Sequence, residues 1–262
     1  MAETPAPFPE AFEDSDVVRC YRHRAPYPAA LHDRLFELAA AGGRLLDLGC
    51  GPGKLARALA GRFAAVDAVD PSAAMLAEAR ALDDGAHPNI RWIEARAEDA
   101  PLAGPYDLVV AGAAIHWMDH GRVMPMLARA LCPGAPLALV DGDGPAEADW
   151  LQAYQDVIVR WVERGGRRWR DAAHTALVTA HLPWFDTDGT ERFTAEVRQR
   201  VEDLIAAEHS RATWARSRMG AEAASFDADL RRALEPFAHR GEVVYRTRAT
   251  LAWGRPRAER RD

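Results

Sequence analysis

The stretch LLDLGCGPGKLARALA, Leu45 to Ala60, constrains the fold of this chain more than any other. An apolar run of strand length empties into three alternate glycines, Gly49, Gly51 and Gly53, and a helical pattern follows. Residues without a Cβ permit left-handed backbone and let N–H groups come close to a ligand at a helix start. Strand-like and helix-like segments alternate around this turn. RLLDLGC (44–50), AAVDAVD (64–70), IRWIEAR (90–96), YDLVVAGAA (106–114) and APLALVD (135–141) read as strands. KLARALAGR (54–62), PSAAMLAEARAL (71–82) and RVMPMLARALC (122–132) read as helices between them, and another spans Tyr27 to Ala41. That βαβα order predicts a mostly parallel sheet with helices on both faces.

Two familiar glycine loops do not fit. A P-loop needs G-x-x-x-x-G-K-[ST], but Gly53-Lys54 is followed by Leu55. A dinucleotide fingerprint needs G-x-G-x-x-G, and Lys54 stands where its third glycine belongs. A nucleotide-dependent oxidoreductase is therefore a weak reading. Asp70 ends the second predicted strand, about twenty residues beyond Gly49, where a carboxylate can accept two ribose hydroxyls. The competing role for Asp70 is a helix N-cap.

Past Gly144 the rhythm changes. ERFTAEVRQ (191–199) reads as a strand and VEDLIAAEHSRATWARS (201–217) as a helix. FDADLRRALEPFAH (226–239) reads as a further helix and VVYRTRATLAW (243–253) as the last strand. The divisions expected are a flexible arm over 1–19, a cofactor-binding core over 20–145 and a helical insert covering the site over 146–189. The sheet and its flanking helices then resume over 190–255, with a tail over 256–262. The insert holds Trp150, Trp161, Trp169 and Trp184, which suit an aromatic lid or a small core of its own. Its RGGRRWR stretch, Arg164 to Arg170, suits a solvated loop or an attractor for acidic substrates.

The net charge of −6 argues against a nucleic-acid or membrane-surface binder. Three cysteines with no C-x-x-C exclude a disulfide framework and fit a cytoplasmic protein. No signal peptide is visible and no apolar run reaches about 18 residues, so no membrane span is expected.

DLGCGPG closely resembles motif I of the class I methyltransferases that use S-adenosyl-L-methionine (SAM) and release S-adenosyl-L-homocysteine (SAH). The resemblance spans roughly residues 20 to 145 and returns at the C-terminal strand. It implies a Rossmann-like seven-stranded sheet, mostly parallel with an antiparallel last strand, plus the helical cover. VDAVDPSAAML resembles the family's second motif and EARAEDAPL its adenine-side loop. Arg96 stands there where many relatives carry an aspartate. IHWMD, with His116-Trp117, resembles the small-molecule branch that includes trans-aconitate methyltransferase-like proteins, as does YRHRAPYP upstream with altered spacing.

By position, the resemblance implies a cofactor set of Tyr21, Arg24, Asp47, Gly49, Cys50, Gly51, Gly53, Asp70, Pro71, Met75, Ala97, Glu98 and Ala113. Tyr21 and Arg24 would lie over the SAM carboxylate, and the small Ala113 and Ala114 would allow a close approach. His23, Tyr27, His116 and Trp117 would face the substrate. His116 is the candidate base, since an unperturbed imidazole titrates near about 6.5, with substrate contact and packing as its other readings. His23, Tyr21 and His120 are weaker rivals. Asp141 and Asp143 could suggest a metal, but strand four ends AGAAIHW without the acidic residue such a site wants, so no metal is expected. The expected function is methyl transfer to a small molecule, such as a bacterial natural product or an organic acid, by a monomer or homodimer. The alternatives are an RNA or protein methyltransferase and a SAM-binding relative without turnover.

Overall fold

A computed structural model describes residues 10–39, 42–165, 176 and 178–261. Five parallel strands form the centre: β1 (Arg44–Leu48), β2 (Ala65–Asp70), β3 (Ile90–Glu94), β4 (Leu108–Gly112) and β5 (Leu137–Asp141). Their order across the sheet is β3-β2-β1-β4-β5. The order reverses between β1 and β4, which opens a crevice at the carboxyl ends of those strands. Leu45 to Leu48 are all buried because helices cover both faces, so β1 reads as a continuous apolar run rather than an alternating one.

On one face α2 (Ala29–Leu38), α3 (Lys54–Leu59) and α4 (Ala73–Asp83) put Leu31, Leu35, Leu55, Leu59 and Leu76 against Leu45, Val66 and Val110. On the other, α5 (His120–Ala130) puts Val123, Met124 and Leu127 against Leu46, Leu48 and Val109. The helix starts follow capping chemistry. Ser72 Oγ accepts from Met75 N at 3.0 Å at the head of α4.

The sheet has eight strands rather than seven. β8 (Glu242–Pro256) runs antiparallel to β5, and β7 (Phe185–Arg200) runs antiparallel to β8 along its whole length. The extra strand is the short β6 (Pro145–Glu147), which pairs with β8 beyond the end of β5. β7 begins earlier than its sequence pattern indicates. Residues 186–190 are polar and contain Gly189, which reads as a turn. Cross-strand pairing carries them into the sheet through an irregularity between Thr187 and Gly189. A Cβ on Gly189 would collide with the Trp253 ring, so the glycine admits a cross-strand aromatic.

The segment expected as a loose arm is ordered from its second half. α1 (Ser15–Tyr21) buries Val17, Val18 and Cys20, and Asp14 caps it by accepting from Asp16 N at 2.8 Å. Residues 1–9 lie outside the described residues. The tail is also held: Arg257 Nη1 lies 3.0 Å from Asp186 and Arg261 N donates to Pro183 O at 2.8 Å.

The helical cover is larger than the insert expected over 146–189. α6 (Leu151–Arg164) packs on α7 (Val201–His209) and, past the one-turn helix α8 (Arg216–Met219), on α9 (Ala223–Leu234). Trp150, Trp161, Leu204, Phe226, Leu230 and Tyr245 make a third core there, with Trp214 stacked on Phe226 at 4.8 Å. Trp161 Nε1 donates to Asp229 at 3.0 Å and Trp150 Nε1 to Val244 O at 3.0 Å, so both buried indoles are satisfied. These two tryptophans belong to the core of the cover, not to a lid. Trp169 and most of the Arg164–Arg170 stretch lie outside the described residues. No described helix is long and apolar enough to cross a membrane.

Under the sheet, buried Tyr106 donates to Asp67 at 2.6 Å and accepts from Ala103 N at 3.0 Å. Burial and the neighbouring Asp67 push its phenol up to about 12. Tyr106→Phe should cost about 1–3 kcal/mol in urea unfolding, because it strands a buried carboxylate oxygen and a backbone N–H. An unchanged midpoint would contradict that assignment.

Candidate functional site

The glycine turn after β1 is tied to the end of β2. Gly49 N and Cys50 N donate to Val69 O at 2.8 and 3.0 Å, and Gly51 N donates to Asp70 Oδ2 at 2.8 Å. Asp70 Oδ1 accepts from Ser72 N at 2.9 Å. Both turn and carboxylate thus sit at the switch point of the sheet. Burial raises the Asp70 carboxyl to about 6, against the stabilising N–H groups of Ser72 and Gly51.

A cavity of about 930 Å³ opens here. Its wall brings together Tyr21, Arg24, Gly49, Gly51, Asp70, Pro71, Met75, Ala97, Glu98, Ala113, His116 and Trp117. Ala113 has a φ of 52° and its N–H reaches Val140 O at 2.6 Å, which turns the chain sharply beyond β4. His116 and Trp117 follow on a single 3-10 turn with their rings 4.7 Å apart. Glu98 is braced by Asp119 N at 2.7 Å and by Arg96 at 3.4 Å, and Arg96 itself lines the cavity.

Five expected residues are not on that wall. Asp47 is buried beneath the turn and accepts from Ala56 N at 2.9 Å, holding the first turn of α3; burial raises its carboxyl to about 7. Cys50 is buried behind the glycines. Gly53 has a φ of 77° and packs against Trp92, whose ring lies 2.6 Å from where a Cβ would stand. Tyr27 lies under Gly112 with Lys54 Nζ 4.5 Å from its ring centre. His23 pairs with Asp203 at 3.2 Å away from the cavity. The rival base His120 is buried, with Nε2 2.9 Å from Ile115 O.

Several lining residues had no local signal. Phe12 meets Tyr21 and Trp117 edge-on at 6.4 and 6.3 Å, and its carbonyl accepts from Ser72 Oγ at 2.7 Å. At the far end, Asp143 lies 3.3 Å from Lys54 Nζ, 3.6 Å from Arg24 Nη1 and 3.9 Å from Arg211 Nη2. Burial alone would raise this carboxyl, but the three cations hold it well below the usual carboxylate range. Asp143 therefore neutralises cations. The sequence singles out Arg24 as a cofactor contact and Asp143 as a metal candidate, but nothing in it joins them to Arg211 and Lys54, the sole lysine of the chain. Arg24 is held by Ser210 Oγ at 2.7 Å, Ser210 O at 3.1 Å and Tyr21 Oη at 3.0 Å, with its guanidinium carbon 3.9 Å from the centre of the Tyr21 ring. Three of its five N–H groups are thus committed inside the protein, and two remain for a ligand carboxylate.

The geometry defines an α/β protein with a crevice at the carboxyl edge of a parallel sheet. The "Methyltransferase domain" family matches residues 45–134. Trans-aconitate 2-methyltransferase of Streptomyces avermitilis is 34% identical over 179 residues, 65% of this chain and 66% of that protein. An uncharacterized methyltransferase of Mycobacterium tuberculosis is 39% identical over 140 residues, 53% of this chain and 55% of that one, so the chain spans about half the length of such relatives. A solved structure of a candidate type II methyltransferase from Anaeromyxobacter dehalogenans superposes with a TM-score of 0.68 at 29% identity, covering 90% of this chain and 99% of that one. The chain belongs to the class I SAM-dependent methyltransferases, in the branch with the trans-aconitate enzymes, and SAM is its cofactor. The residues present fit that cofactor. A Cβ on Gly51 would meet nothing within 4 Å, leaving open space above the turn, and Asp70 waits beside it as an acceptor for ribose hydroxyls.

Two glycines separate packing from ligand approach. Gly49 has a φ of 67° and a Cβ there would collide with Ala114, so Gly49→Ala should destabilise the fold by about 2 kcal/mol or more. Gly51→Ala should cost only about 1 kcal/mol, for its φ of 51°, yet weaken SAH binding at least as much. Denaturation with SAH titration on both variants checks this, and equal stability losses would contradict it.

A second expectation concerns pH. An acid whose carboxyl is raised from 3.8 to about 6 holds its proton more firmly folded than unfolded. Its ionisation therefore costs stability as pH rises from about 4 through about 6, up to about 3 kcal/mol. The unfolding free energy of Asp70→Asn relative to wild type should rise across that window in ligand-free protein. A flat difference would contradict the burial of this charge.

Proposed function

We propose that the protein transfers a methyl group from SAM to a small-molecule acceptor, an organic acid or a natural product. The observation that carries this is the extent of the one continuous cavity. It runs from the glycine turn to α6 and the loop after α7, and Phe12 and Tyr21 line the cofactor end. Its volume lies within the range of about 300–1,000 Å³ typical of small-ligand sites. The name of the Streptomyces avermitilis relative points to the same acceptor class. Three free cysteines, two of them buried, suit work in a reducing cytoplasm.

When bound, SAM supplies an activated methyl group on a sulfonium leaving group. The chain's own task is alignment and dryness. Asp70 and the Gly49–Gly51 backbone hold the nucleoside and amino-acid ends, and Arg24 offers its two remaining N–H groups to the carboxylate. Phe12, Tyr21 and Trp117 keep water out. His116, on the turn after β4, takes the proton from a hydroxyl or amine acceptor, whereas an ionised acid needs no such step.

The test is methyl transfer from labelled SAM to a panel of organic acids, phenols and amines, with products read by mass spectrometry. Transfer to none of them, by protein that binds SAH, would sink this function. With a hydroxyl acceptor, His116→Ala should lower kcat by about a hundredfold and remove the acidic limb of its pH profile. A raised KM with unchanged kcat would instead make His116 a contact residue.

A further inference from the structure

We infer that the acceptor is an amphiphilic monoanion, a carboxylic acid with one aliphatic or aromatic body, whose charge docks on Arg211 while its body lies along α6. This rests on the methyl-transfer reading of the same cavity.

Arg211 follows α7 and lines the cavity opposite the glycine turn. Glu208 fixes one edge of its guanidinium, with Oε1 accepting from Nε at 3.3 Å. Glu208 is itself buried, beside Tyr154. The outer edge is open. Among the described residues the Nη nitrogens make no hydrogen bond, and the Asp143 carboxylate is 3.9 Å away. The side chain keeps 38% of its surface accessible although it lies inside the cavity wall. A guanidinium held by one edge and open at the other is a fork preset for a carboxylate.

Charge counting agrees. Arg24, Lys54 and Arg211 surround two carboxylates, Asp143 and Glu208. One positive charge of this cluster is left for a ligand to balance. Arg248 also reaches the cavity, but Glu147 already holds it at 2.8 Å.

The remaining wall sets the rest of the molecule. Leu151, Ile158 and Val162 line the cavity from one face of α6. Tyr154 and Gln155 share that face, but neither carries a charge, so a second or third carboxylate on the acceptor would be pressed against aliphatic and neutral side chains without a cation to balance it, which is costly. One open cation beside an aliphatic strip thus selects one charge and an apolar body. It disfavours the polycarboxylate named in the Streptomyces avermitilis relative.

The experiment is isothermal titration of SAH-saturated protein with octanoate, 3-phenylpropionate, their neutral amides and trans-aconitate. Both monocarboxylates should bind about ten- to a hundredfold more tightly than their amides, the span of a charge-assisted pair, and more tightly than trans-aconitate. Arg211→Gln should erase the acid-over-amide preference while SAH affinity stays put, with a lower melting temperature because Glu208 loses its buried partner, and Arg211→Lys should restore part of both. Amides binding as well as acids, trans-aconitate binding more tightly, no probe binding, or a preference that survives Arg211→Gln would each overturn the inference. The SAH titration is run first. Should SAH fail to bind, the methyl-transfer reading falls, and the same probes on ligand-free protein still decide the role of Arg211.

Discussion

The site depends on one junction: the turn after β1 hangs from the end of β2. Val69 O takes two of its N–H groups and Asp70 takes a third. Those bonds fix Gly49 and Gly51 in left-handed backbone at 67° and 51°, with Gly49 packed against Ala114 and the open side of Gly51 left free of protein atoms. The same carboxylate that restrains the turn remains on the cavity wall. Structure and recognition therefore share one buried acid, and its raised proton affinity is the cost of that arrangement. Asp47 repeats the device one layer deeper, trading its own ionisation for the first turn of α3.

The opposite end of the cavity is organised by charge instead. Asp143 gathers Arg24, Lys54 and Arg211, which come from the loop after α1, the head of α3 and the loop after α7. Isolated buried cations would be prohibitive, so the acid makes the cluster possible and sets which nitrogens stay free. Arg24 has three of its five N–H groups committed. Arg211 is held along one edge only. The two ends of one cavity thus differ in kind: backbone and a neutral-leaning acid at the first, a braced set of cations beside aliphatic side chains at the second.

The central sheet and the cofactor end were legible because their signals are local. An apolar run, alternate glycines and an acid at the next strand end lie within 26 residues, Leu45 to Asp70. Position alone could not separate residues that touch a ligand from those that shape the turn. Gly53 answers to the Trp92 ring and Cys50 lies behind the loop, though both belong to the motif. The substrate end was not legible. Arg211, Glu208, Tyr154 and Asp143 meet only because α6, α7 and α9 pack into a third core, and no sequence period encodes that meeting. His23 sits one residue from Arg24 yet points to Asp203, since a helix end sends neighbours to different sides. β7 extends beyond its alternating pattern because residues 186–190 are polar and are held in the sheet by pairing with β8, where Gly189 makes room for Trp253.

The most direct measurement is a crystal structure of the protein grown with SAH. The ribose hydroxyls should lie within hydrogen-bonding distance of Asp70, with the homocysteine end over Gly49 and Gly51 and its carboxylate toward Arg24. SAH in another cleft, or a well-ordered crystal from saturating SAH with this cavity holding only water, would contradict the assignment of the site.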